Sequence, residues 1–140
     1  MVNATISLGD VRQDLVQAHD QSIAALSAPG TWWTGAQRRE LALTAQLAIN
    51  DSDPVAPWVG VSTVANKLSA NLTAPKIAHD AIYRISRHAA TLTREWYEKV
   101  TAEIDPLAFV ELCGIACTIA PVTAFRRALG LPALEISPAE

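Results

Sequence analysis

Glu111, Cys113 and Cys117 stand within one short stretch, and their residue types are the chain's most evident means of doing chemistry. Two thiols four apart are neighbours on one face of a helix, and a dithiol of this kind could in principle reduce a peroxide. That chemistry needs a thiolate exposed to substrate, a base or cation to lower its pKa, and a second thiol within bonding reach. Here the spacing is Cys-x-x-x-Cys rather than Cys-x-x-Cys, and both residues fall mid-helix among apolar neighbours, where burial raises a thiol pKa. The expectation is a pair of buried structural thiols. Glu111 is different: a carboxylate on an apolar helix must reach water, pair with an arginine from another helix, or stay protonated for acid–base work. His79 and Tyr83, four apart, would form a proton-transfer pair with Glu111 if their helices met, although a half-buried structural histidine is the plainer reading.

The elements that must carry these residues are helical. Residues 105–132 begin with Asp105 and Pro106, an N-cap and a first-turn proline, and end with Arg126, Arg127, Gly130 and Pro132, the marks of a helix terminus. The apolar positions cover more than one face, which predicts burial nearly all round, with Glu111 and Thr118 on one narrow polar line and a kink at Pro121. Upstream, apolar residues recur at helical spacing from Gly9 to Leu26, and Thr34 followed by Gln37 is a capping-box pattern for a helix that starts near Gly35 and ends by Asn50. The prolines at 54 and 57 mark a loop. A helix from Ser62, another over 76–90 behind Pro75, and a third from Thr93 through Glu103 complete the pattern. In the 76–90 helix Asp80 and Arg84 are four apart, which reads as a surface ion pair. The chain is therefore expected to be all-α, a compact bundle of five to six helices in a single domain over 1–140, with 133–140 a disordered tail.

Composition narrows the classes of function. The 140 residues are half apolar and only 18% charged, with a formal net charge of −3 spread without a basic patch or acidic block. Nucleic acid and membrane surfaces are not expected partners. No apolar run is read as long enough to span a bilayer, the first residues lack a signal-peptide layout, and two cysteines make no disulfide framework. The chain is expected to be cytoplasmic, without metal or cofactor. So apolar a composition in an acidic protein favours a homo-oligomer. Trp32 and Trp33, just before the Thr34 cap, are read first as anchors that staple the helix entrance and second as pocket walls.

Three stretches, WWTGAQRRELAL, HDAIYRISRHAATLTREWYEKV and FVELCGIACTIAPVTAFRRALGLP, resemble the alkylhydroperoxidase and carboxymuconolactone decarboxylase superfamily over roughly residues 32–132. The resemblance implies an all-helical, oligomeric fold. It also implies that redox-active relatives carry Glu-x-x-Cys-x-x-Cys followed by a histidine on an earlier helix, whereas this chain reads Asn50-Asp51-Ser52-Asp53-Pro54 after its second helix, with no cysteine. The leading expectation is a divergent member without the dithiol mechanism that binds a small apolar or acyl molecule between Trp32, Trp33, Trp96 and Glu111. The competing expectation is an enzyme: a thiol peroxidase using Cys113 and Cys117, or a cofactor-independent acid–base catalyst using Glu111 and His79.

Overall fold

In the computed structural model, which describes residues 6–138, the local signals at helix ends are realised as hydrogen bonds. Helix α1 spans Gln13–Leu26 and is preceded by a single 3-10 turn, Leu8–Asp10, whose capping box pairs Ser7 with Asp10. Extended backbone at Val11 and Arg12 separates the two, so the first α-helix starts later than the Gly9 of the sequence pattern. Helix α2 spans Gly35–Asn50; the Thr34 hydroxyl accepts from the Gln37 N–H at 3.2 Å and the Gln37 side chain accepts from the Thr34 N–H at 3.0 Å. Helix α3, Val61–Ala65, has only five residues and is capped by Gly60 rather than Ser62. Helix α4, Lys76–His88, passes into a second 3-10 turn at Ala89–Thr91, and α5, Arg94–Thr101, is capped by the Thr93 hydroxyl.

Helix α6, Pro106–Ala128, is held at its start by the Asp105 carboxylate, which accepts from the Leu107 N–H at 2.7 Å, and it runs on through Pro121. At its end Gly130 takes φ +65°, and the N–H groups of Gly130 and Leu131 return to the carbonyls of Arg127 and Arg126. That closure needs a left-handed residue, which glycine supplies without steric cost. The described residues contain no strand, and the architecture is a helical bundle centred on α2, α4 and α6. Its core comprises Leu41, Ala42 and Ala45 from α2, Ala78, Ala81 and Ile82 from α4, and Leu112, Ile115 and Ile119 from α6. Alanines at the α2–α4 contact let the two helices approach closely, while the branched residues of α6 fill the space between them.

Several expectations change here. α6 is not buried all round: 39% of its most apolar 18-residue window is buried, and Leu107, Val110 and Cys117 are exposed. It is also long and apolar enough to cross a membrane by length and composition, which corrects the reading that no such run exists. Residues 133–138 do not leave the body. Ile136 is buried, and the carbonyls of Leu134 and Ser137 accept from Gln46, Ser27 and Arg39.

The largest correction concerns Asp80 and Arg84, which lie inside the protein rather than on its surface. Arg84 Nε donates to Asp80 Oδ2 at 2.8 Å and Nη2 to Oδ1 at 3.0 Å, with side chains only 8% and 2% exposed. The same guanidinium donates to the carbonyls of Pro57 and Val59, so the pair satisfies a loop that proline prevents from joining a helix. Removing one member leaves an uncompensated charge. Asp80→Ala is expected to cost about 3–5 kcal/mol, read from urea unfolding. Glu98→Ala, which breaks the exposed Arg94–Glu98 pair, should cost less than about 0.5 kcal/mol. Equal effects would contradict the buried role.

Candidate functional site

Glu111 sits in the second turn of α6, and its carboxylate faces the 27–34 segment and α2. Oε1 accepts from Arg38 Nη1 at 2.5 Å and Oε2 from the Trp32 backbone N–H at 3.0 Å, while Arg38 Nη2 reaches the Ala25 carbonyl at 3.4 Å. The two side chains are 14% and 17% exposed. A methyl group at Gly30 would stand 1.8 Å from Glu111 Oε1, so the close passage of this loop over the carboxylate requires glycine there. Trp33, buried, donates its indole N–H to the Ala108 carbonyl at 3.1 Å. Both tryptophans thus fasten the loop to α6, one by its backbone and one by its ring. The carboxylate is ion-paired, as one of its sequence readings anticipated, and it is spent on architecture.

His79 is fully buried, not half-buried, and its partners come from α2 rather than from Glu111. Nδ1 lies 2.8 Å from the Thr44 hydroxyl and Nε2 lies 3.7 Å from Glu40 Oε2. The Thr44 hydroxyl donates its one hydrogen to the Glu40 carbonyl at 3.1 Å, which leaves its oxygen to accept from the Nδ1–H of His79. Burial lowers the His79 pKa, and the Glu40 charge opposes that only in part. Glu40 itself accepts from the N–H groups of Thr73 and Ala74 and from the Thr73 hydroxyl. Burial works against its ionised form, but these bonds and His79 outweigh it and hold its pKa low. Glu40 and His79 are therefore near enough for charge attraction but not hydrogen-bonded, and Glu40 and Thr44 form part of the wall of a cavity of about 280 Å³. Glu40 was not singled out from the sequence. Its position four residues before Thr44 on α2 was the available signal, but the imidazole that joins them comes from α4.

One turn further along α4, Tyr83 donates to Asp51 Oδ2 at 2.6 Å and accepts from the Val55 N–H at 3.0 Å. Lys67 Nζ meets the same Asp51 oxygen at 2.8 Å, and these two donors hold the Asp51 pKa at about 2. Asp51 is therefore a loop fastener.

The thiols are not both buried. Cys117 is exposed and Cys113 partly so, and both are free. Burial, with the neighbouring Cys117 adding to it, pushes the Cys113 pKa up, opposite to the direction that activates a thiolate. The Trp96 ring packs edge-on against Phe109 at 5.8 Å, and it lines an open groove of about 590 Å³ with Trp58, Ile77, Arg84, Lys99 and Val100.

The His79 arrangement has a defined pH signature. Its folded-state pKa is depressed below 6.5, so between those values the unfolded chain binds the proton more readily and stability rises with pH. Stability should therefore fall as pH drops from about 7.5 to about 5.5, and His79→Gln should flatten that part of the profile. Urea midpoints across the range provide the check, and an unchanged slope in the variant would count against a buried neutral imidazole. No family model, curated protein or solved structure matches this chain.

Proposed function

We propose that this chain is a helical small-molecule-binding protein, an alkylhydroperoxidase-like bundle without the dithiol mechanism, whose ligand occupies the groove between the 57–61 segment, α4 and α5. One observation carries the reading: a groove of about 590 Å³ has a tryptophan from each of two separate segments, Trp58 and Trp96, in its wall. That volume falls within the roughly 300–1,000 Å³ typical of small-molecule sites, and apolar walls with a few polar groups suit an apolar or acyl ligand. Trp58 is 84% exposed, a large uncovered apolar surface. Arg84 is already committed to Asp80 and to two loop carbonyls, so the Lys99 ammonium is the group suited to an acyl carboxylate.

The peroxidase alternative loses support from the raised Cys113 pKa. The acid–base alternative finds its best-placed groups in Glu40 and His79 rather than Glu111, because Arg38 and the Trp32 N–H already engage the Glu111 carboxylate.

Titration with a dansylated fatty acid, followed by its fluorescence and by tryptophan quenching, tests the reading. Saturable binding is expected, and Trp58→Ala should weaken it about tenfold, equivalent to ~1.4 kcal/mol. Trp32→Ala should leave it unchanged. Binding that is absent, or equally sensitive to both substitutions, would refute the groove as the site.

A further inference from the structure

The outward face of α6 carries a self-complementary pattern. Leu107, Val110, Gly114, Cys117, Pro121 and Ala124 are all exposed and follow one another in steps of three, four, three, four and three. That is the 3.5-residue period of a seam between two helices, and it reads the same from either end. Leu107 and Val110 are 58% and 61% exposed, although they belong to the helix whose apolar content is highest.

Gly114 supplies an independent observation. Glycine inside a helix is unfavourable, so a packing reason is to be sought for it. Among the described residues there is none, because a methyl group at Gly114 would meet none of their atoms within 4 Å. The missing side chain leaves room on the outside of the molecule, at the middle of the seam.

We propose that α6 pairs in antiparallel fashion with α6 of a second copy of this chain, about a two-fold axis between Gly114 and Cys117. In this register Leu107 of one copy lies opposite Ala124 of the other, Val110 opposite Pro121, and Gly114 opposite Cys117. Each layer sets a larger side chain against a smaller one, which lets the two faces interdigitate. Charge agrees with the direction: exposed Glu103 and Asp105, the latter also the helix cap, flank the start of α6, and exposed Arg127, whose Nη2 donates to Asn50 Oδ1, stands near its end, so the antiparallel register brings Arg127 of one copy beside the acidic pair of the other. A parallel pairing would set like charges together.

Sedimentation equilibrium of the full chain at tens of micromolar tests the pairing. The expected mass is twice the 15.0 kDa of one chain. Gly114→Leu is the diagnostic substitution, since the position is open within the chain and leucine favours helix; the variant should keep its far-ultraviolet circular dichroism and sediment as a single chain. With Cys113→Ser and Cys117→Ser in the background, Leu107→Cys combined with Ala124→Cys should give an intermolecular disulfide under mild oxidation, and Leu107→Cys alone should give far less. A single-chain mass for the unsubstituted protein, or a Gly114→Leu variant that remains dimeric, would overturn the proposal. Flotation of the unsubstituted protein with phosphatidylcholine vesicles would also overturn it, by assigning the face to a lipid surface.

Discussion

A carboxylate on an apolar helix must be neutralised by something the fold provides, and in this protein the neutralising group is Arg38 of α2. The Glu111–Arg38 pair joins the two longest helices, while the second carboxylate oxygen takes the Trp32 N–H and the loop passes over the pair at Gly30. One turn earlier on α6, the Ala108 carbonyl receives the Trp33 indole N–H. The connection between α1 and α2 is thus fixed at two points on one helix, and the Thr34 cap that starts α2 follows directly from it. A mostly buried ion pair of this kind adds little net stability over an apolar replacement, but breaking one side of it is costly. Its contribution is to set which part of α2 faces which part of α6.

Helix α4 repeats the device. Its residues 78–84 are all buried, and four of them, His79, Asp80, Tyr83 and Arg84, are polar. Three are matched to groups remote in sequence, His79 to Thr44 and Glu40, Tyr83 to Asp51 and the Val55 N–H, and Arg84 to the carbonyls of Pro57 and Val59, while Asp80 is held by Arg84 itself. Because α4 tethers the 51–59 loop in this way, Trp58 is carried to the lip of the groove whose other wall includes Trp96. The groups that suggest chemistry in the sequence are largely consumed in holding irregular segments to the bundle. The groove is what those segments create.

The parts of this arrangement that were legible in the sequence are those decided locally. The Thr34–Gln37 box, the Asp105–Pro106 start and the Gly130 finish depend on backbone groups within a few residues, and each is formed as its pattern implies. The parts that were not legible depend on what covers a residue. An Asp80–Arg84 spacing is the same whether water or the 57–59 loop lies over it, and only the fold supplies the loop. The hydropathy of α6 signalled burial without saying that Leu107, Val110 and Cys117 would stay exposed. Glu111 and Arg38 are separated by 73 positions, so the pairing could be named as a class of solution but not as a particular arginine. Residues 133–138 lack helical periodicity, and their Leu134 and Ser137 carbonyls are held by bonds from Ser27, Arg39 and Gln46 that no local pattern announces.

The central claim is that Glu111 is a structural partner of Arg38 and not a free acid–base group. A double-mutant cycle of Arg38→Met and Glu111→Gln tests it most directly, because glutamine can still accept from the Trp32 N–H while losing the charge. Urea unfolding of the four proteins should give a coupling of about 2 kcal/mol or more, with the double variant far less destabilised than the sum of the two single changes. Additive effects, with a coupling below about 0.5 kcal/mol, would contradict the account and return Glu111 to the groups available for chemistry.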